Sequence, residues 1–129
     1  FSCIDSLMEE ISDCRIKIVD IHAEATAEKL AMGFYLDGKA TAVVGTHTHV
    51  QTADEKVLPG GTAYITDLGM TGPELSVLGV RPEASISWLK TGLPTRFEIS
   101  GGACMMCGAI IDVDEKTGKS RSIERICVR

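Results

Sequence analysis

Apolar and polar positions change rhythm about two-thirds of the way along this chain. Ile4, Leu7, Met8 and Ile11 fall at helical spacing and predict a helix over 3–13. The run from Ile16 to Ile21 predicts a buried strand over 15–21. Residues 23–36, rich in Ala, Glu, Lys, Leu and Met, then predict a helix that Asp37-Gly38 stops. A second apolar run predicts a strand over 41–45. Strand, helix and strand in this order form a βαβ unit, which builds a parallel sheet covered on both faces. The polar segment 51–61 ends in Pro59-Gly60-Gly61 and reads as a surface loop. Ala63-Tyr64-Ile65 reads as a short strand that leads into the glycine-rich stretch Thr66–Pro73. Arg81-Pro82 opens a helix running through Trp88 to Lys90, with proline tolerated in the first turn. Beyond it, 95–100, 107–113 and 120–128 alternate apolar and polar residues. They predict antiparallel strands, the last two joined by a turn at Glu115–Gly118. The fold class is therefore α/β: a βαβ unit followed by mostly antiparallel strands.

Composition narrows the possibilities. The 129 residues are one domain's worth, and the sequence shows no internal repeat and no interdomain linker. Aromatic residues make up only 5%, so aliphatic side chains and methionine carry the packing. A net charge of −5 with no basic stripe argues against stable nucleic-acid binding. An anionic substrate would then need local positive charge, for which bound metal ions are the natural source. No apolar stretch approaches the roughly 20 residues needed to cross a bilayer, and no secretory leader is evident. Five cysteines, an odd number, suit a reduced cytoplasmic protein better than a disulfide framework. The opening Phe1-Ser2-Cys3, without an initiator methionine, reads as though cut from a longer chain.

The chemistry concentrates in three histidines. His47 and His49 lie in Gly45-Thr46-His47-Thr48-His49, directly after Ala42-Val43-Val44, and His22 follows the earlier apolar run. All three fall where strands end, the side of a parallel sheet on which ligand-binding groups gather. Imidazole is the commonest transition-metal ligand. On a flat strand, alternate residues share a face, while a turn would spread the pair onto two adjacent ions. These three residues are the candidate metal ligands, and their side chains are expected to converge.

Three neutral imidazoles do not balance two divalent cations, and hydrolytic two-metal sites normally add carboxylates. Asp20, Glu24, Asp54 and Asp67 are the available ones. Glu24 falls at a helix start, where a dipole role is equally natural. Asp54 reads as a loop residue, and Asp67 as a turn former ahead of glycines. Cys104-Met-Met-Cys107 has redox or zinc spacing, but with no second pair it reads as two reduced cysteines of a β-hairpin. No Gly-x-Ser-x-Gly occurs, and the 69–72 glycines lack the Lys and Ser/Thr of a phosphate-binding loop.

Three segments taken together resemble a known family. They are Asp20-Ile-His22-Ala-Glu24-Ala-Thr26, the stretch from Ala42 through Gly45-Thr-His47-Thr-His49 to Asp54, and Gly61 through Thr66-Asp67-Leu-Gly69-Met70-Thr71-Gly72-Pro73. Together they closely resemble the YmdB-like proteins, calcineurin-type metallophosphoesterases described as 2′,3′-cyclic-nucleotide phosphodiesterases. The resemblance runs from about residue 15 to the C-terminus and is strongest through residue 73. It implies part of a four-layer α-β-β-α sandwich with two divalent metal ions, manganese, iron or zinc, at the strand ends. It assigns His22 as the isolated histidine ligand, with His47 and His49 one on each metal. It leaves Thr66, Asp67, Gly69, Met70, Thr71 and Gly72 to line a pocket for a small phosphodiester or cyclic nucleotide.

The same family pattern draws its other ligands from an N-terminal half: an aspartate, a glutamate-asparagine pair, and a Gly-Asn-His element whose histidine donates a proton. This chain contains no asparagine, and its three histidines are already assigned. Residues 1–129 are thus expected to be the C-terminal portion of a single metallophosphoesterase domain, carrying half its site and inactive alone. The parent is expected to be a phosphoric ester hydrolase working by two-metal activation of water. A non-catalytic metal-binding or interaction module is the alternative, and homo-oligomer formation is left open.

Overall fold

The computed structural model describes all 129 residues. Ten elements follow one another: α1 (Ser2–Glu10), β1 (Ile18–His22), α2 (Thr26–Tyr35), β2 (Ala42–Thr46), β3 (Lys56–Val57), β4 (Ala63–Ile65), β5 (Thr71–Pro73), α3 (Pro82–Thr91), β6 (Cys104–Val113) and β7 (Ser120–Val128). The first sheet has the order β1-β2-β4-β3. β1, β2 and β4 run parallel, and β3 is antiparallel to β4. The second sheet, β5-β6-β7, is wholly antiparallel. A βαβ unit followed by antiparallel strands is the α/β arrangement expected from the sequence.

The core lies between the parallel sheet and the helices α1 and α2. Leu36, Ala40, Val43, Leu58 and Tyr64 form its buried centre. Ile4 and Met8 of α1, Val19 and Ile21 of β1, and Leu30, Met32 and Tyr35 of α2 pack around them. β2 and β4 are buried along almost their whole length, as central strands of a parallel sheet should be. β1 is the sheet edge and alternates: Val19 and Ile21 face the core, while Ile18, Asp20 and His22 face outward. α2 comes close to the sheet at Gly33, where a Cβ would sit 2.5 Å from the Tyr64 ring.

Gln51 ties the two sheets together. Its Nε2 lies 3.3, 2.9 and 3.1 Å from the carbonyls of Leu68, Gly108 and Ile126, the last two on β6 and β7. At the opposite end, Ser120 donates from its N–H to Gly61 and from its hydroxyl to the Thr41 carbonyl. The β6–β7 turn is thereby pinned under the parallel sheet.

Several expected elements differ. The segment 95–100 is not a strand, and only Ile99 makes an isolated bridge, to Val80. Pro94 before it and Gly101-Gly102 after it interrupt any ladder, and Ile99 stays 80% exposed. The polar loop 51–61 contains β3, because β4 has an open edge to pair. Thr71–Pro73 becomes β5, because it lies alongside β6, which starts at Cys104 instead of 107. No helix is long and apolar enough to cross a membrane.

Candidate functional site

β1 and β2 deliver the histidines side by side. Their parallel register sets His22 opposite Thr46, so the chain leaves β2 next to the end of β1. The His22 Nε2 and His47 Nδ1 atoms are 3.2 Å apart, and the two rings meet edge to face with centroids 5.1 Å apart. Two nitrogens bound at zinc-type distances in tetrahedral geometry stand about 3.3 Å apart. This imidazole pair therefore fits two neighbouring ligands of one cation.

His49 is not part of this ring contact. Backbone φ is 147° at His47 and 64° at His49, so the chain turns between them and ends the strand alternation. His49 lies with Met70, Thr71 and Gly72 on the wall of an open cavity of about 330 Å³. The His22 and His47 imidazoles thus meet, and the turn sets His49 on the cavity wall beside Met70, Thr71 and Gly72. No three His, Cys, Asp or Glu side chains come together closely enough to hold an ion.

The histidine loop is held from beneath by a buried ion pair. The side chains of Lys29, on α2, and Asp67 are both 0% exposed, with Nζ and Oδ2 3.3 Å apart. Asp67 also accepts the N–H of Thr48 at 2.8 Å and of Gly69 at 2.9 Å, and Lys29 reaches the Thr46 carbonyl at 3.4 Å. Burial alone would push the Asp67 carboxyl up. The Thr48 and Gly69 donors and the Lys29 ammonium outweigh it and hold the group below the usual carboxylate range. His47 sits in a backbone region that costs a non-glycine residue about 1–3 kcal/mol and persists only when its surroundings enforce it. The bonds to Thr46 and Thr48 on either side are that enforcement.

Gly45 belongs to the same construction, because a Cβ there would lie 1.9 Å from the Thr66 carbonyl and 2.8 Å from Lys29 Cδ. The glycine of Gly-Thr-His-Thr-His is thus required by close approach of β2 to the chain leaving β4.

The pocket assignments divide. Asp67 and Thr66 are buried and cannot touch a substrate. Asp67 is occupied by the loop, and the Thr66 hydroxyl is bonded to Asp54 and Tyr64. Gly69 donates to Asp67, while Met70, Thr71 and Gly72 line the His49 cavity. Asp54 is not a free loop carboxylate, since it accepts from the Thr52 hydroxyl and from the Thr66 hydroxyl and N–H. Partial burial would raise its pKa, but these donors and nearby Lys56 lower it overall. Glu24 is exposed at the start of α2. Asp20 faces outward beside His22 and accepts the Thr46 hydroxyl. Cys104 and Cys107 are free, and Cys107 pairs across the sheet with Cys127.

Sequence reasoning missed Lys29, Gln51 and Thr46. A lysine on an amphipathic helix reads as a surface residue, and nothing local marks Lys29 as buried. Thr46 could have been found, because the two strand ends put it level with His22.

The YmdB-like family's sequence model matches residues 1–126, which brings α1 within the family as well. The chain belongs to the YmdB-like family. This YmdB-like chain is 57% identical over 110 residues to the 2′,3′-cyclic-nucleotide 2′-phosphodiesterase of Bacillus subtilis (strain 168), covering 85% of the chain and 42% of that protein. Among solved structures, it matches a novel phosphatase from Mycoplasma pneumoniae with a TM-score of 0.92 and 41% identity, over 98% of this chain and 45% of that one. A hypothetical protein from Thermus thermophilus matches with a TM-score of 0.90 and 39% identity, over 97% and 48%. This YmdB-like chain therefore spans less than half the length of these relatives.

Proposed function

We propose that this chain forms part of a phosphodiesterase acting on small phosphodiesters such as 2′,3′-cyclic nucleotides. The reading is for a protein of the relatives' full length. The observation that carries it is the His22–His47 pair, 3.2 Å apart at adjacent strand ends, in a family with a member named as a cyclic-nucleotide phosphodiesterase. His22 and His47 would hold one divalent cation and His49 a second, with manganese, iron and zinc all suited to imidazole and carboxylate donors. When bound, two such cations supply Lewis acidity toward phosphoryl oxygens and acidify the attacking water.

The chain's own residues do three things. The two imidazoles offer nitrogen donors, and Lys29 with Asp67 keeps the loop that carries His47 in one conformation. Met70, Thr71 and Gly72 shape the wall beside His49, where a nucleotide would rest. The three histidines being placed as ligands, the proton for the leaving alkoxide has to come from another group.

The test is hydrolysis of 2′,3′-cyclic AMP by the full-length protein with manganese, before and after chelation. Turnover that chelation abolishes and manganese restores is expected. Full turnover in the chelated protein would overturn the two-metal reading, and no turnover of any phosphodiester would overturn the function.

A further inference from the structure

We infer that Thr46 is a positioning residue, its hydroxyl held by Asp20 so that His22 presents Nε2 to the candidate site. The inference rests on reading His22 as a ligand, but its geometry stands separately. Thr46 Oγ1 lies 3.2 Å from Asp20 Oδ1 and 3.1 Å from His22 Nδ1. An ionised carboxylate only accepts, so the single hydroxyl hydrogen goes to Asp20. The oxygen is then left to accept, and His22 must donate to it from Nδ1–H. A neutral imidazole carries one N–H, so the lone pair falls on Nε2, the nitrogen that faces His47 at 3.2 Å.

The fold makes this relay hard to escape. Asp20 and His22 are two residues apart on an extended strand and share its outward face. Parallel pairing sets Thr46 directly across from His22. Threonine is branched at Cβ and stiff about χ1, so its hydroxyl stays between the two. Partners of this kind fix the ring orientation and tautomer of metal-binding histidines, and their loss typically lowers metal affinity about 10–100-fold.

The experiment uses the full-length protein with 15N-labelled histidine, stripped of metal and held at mildly alkaline pH. Long-range 1H–15N correlation is expected to show His22 protonated on Nδ1. Thr46→Val keeps the branched shape and removes the hydroxyl; it should shift His22 toward the Nε2–H tautomer and weaken Zn2+ binding about 10–100-fold. Thr46→Ser should restore both. Asp20→Ala frees the hydroxyl to donate to Nδ1 and should move the tautomer the same way, giving a readout if Thr46→Val folds poorly. An Nε2–H tautomer in the unmodified protein, or an unchanged tautomer in both variants, would overturn the inference. If the tautomer behaves as expected and the unmodified protein binds no Zn2+, the ligand reading of His22 falls and the positioning stands.

Discussion

The parallel sheet and the β6–β7 hairpin use the same interactions to different effect. In the first, Ala42 through Gly45 and Ala63 through Ile65 are buried, and the ion pair beneath them has both side chains 0% exposed. In the second, no residue of β6 is fully buried, and β7 is buried only at Ser120. Arg121 reaches Asp112 and Asp114 in open solvent, its own side chain 58% exposed. Exposed pairs contribute about 0–1 kcal/mol because water and salt screen them. A buried pair adds little net stability relative to apolar residues, but removing one partner strands a charge. The histidines project from the region where displacement is costly, and the candidate site draws its rigidity from that placement.

Lys29→Met would break this contrast most severely. It leaves the Asp67 carboxylate buried without its cation, and the full-length protein should lose about 3–5 kcal/mol by urea denaturation. A loss below about 1 kcal/mol would show that the pair does not anchor the loop. Gly45→Ala comes next. Its new Cβ meets the Thr66 carbonyl, a backbone atom that cannot swing away, so a loss of about 1–3 kcal/mol is expected. A neutral outcome in the same measurement would mean that β2 and the chain after β4 separate freely.

Acid separates the two regions further. Asp67 and Asp54 have lowered pKa values, so their contribution is fully present above the ordinary carboxylate value, about 3.9. It is lost as pH falls through their lower folded values. Stability followed from pH 6 to 2 should drop below about pH 4, and Asp67→Asn should make that drop shallower. An equally steep drop in the variant would show that Asp67 is not responsible for it. Arg121→Ala should have the smallest effect, under about 1 kcal/mol and diminishing with salt.

Much of this arrangement was legible in the sequence. The βαβ unit was readable because Ile16–Ile21 and Ala42–Val44 are mostly apolar and the helix between them is bounded by Asp37-Gly38. Segment 95–100 misled because Phe97 and Ile99 alternate with polar residues as strand residues do, while strand formation depends on a neighbour that only Val80 supplies. The histidine positions follow from strand ends, but the turn between His47 and His49 depends on two positive backbone φ angles that no pattern announces. Asp67 looked like a turn residue or a pocket wall. Its burial arises from a contact with Lys29, 38 residues away in sequence, which no local spacing encodes.

His22 and His47 are proposed to share one cation, and His49 to hold another. Anomalous diffraction from crystals of the full-length protein, at the manganese, iron and zinc edges, tests it most directly. One peak is expected about 2.0–2.1 Å from both His22 Nε2 and His47 Nδ1, if zinc is bound, and a second beside His49. Metal bound elsewhere in an active crystal, with no peak at the His22–His47 pair, would contradict it.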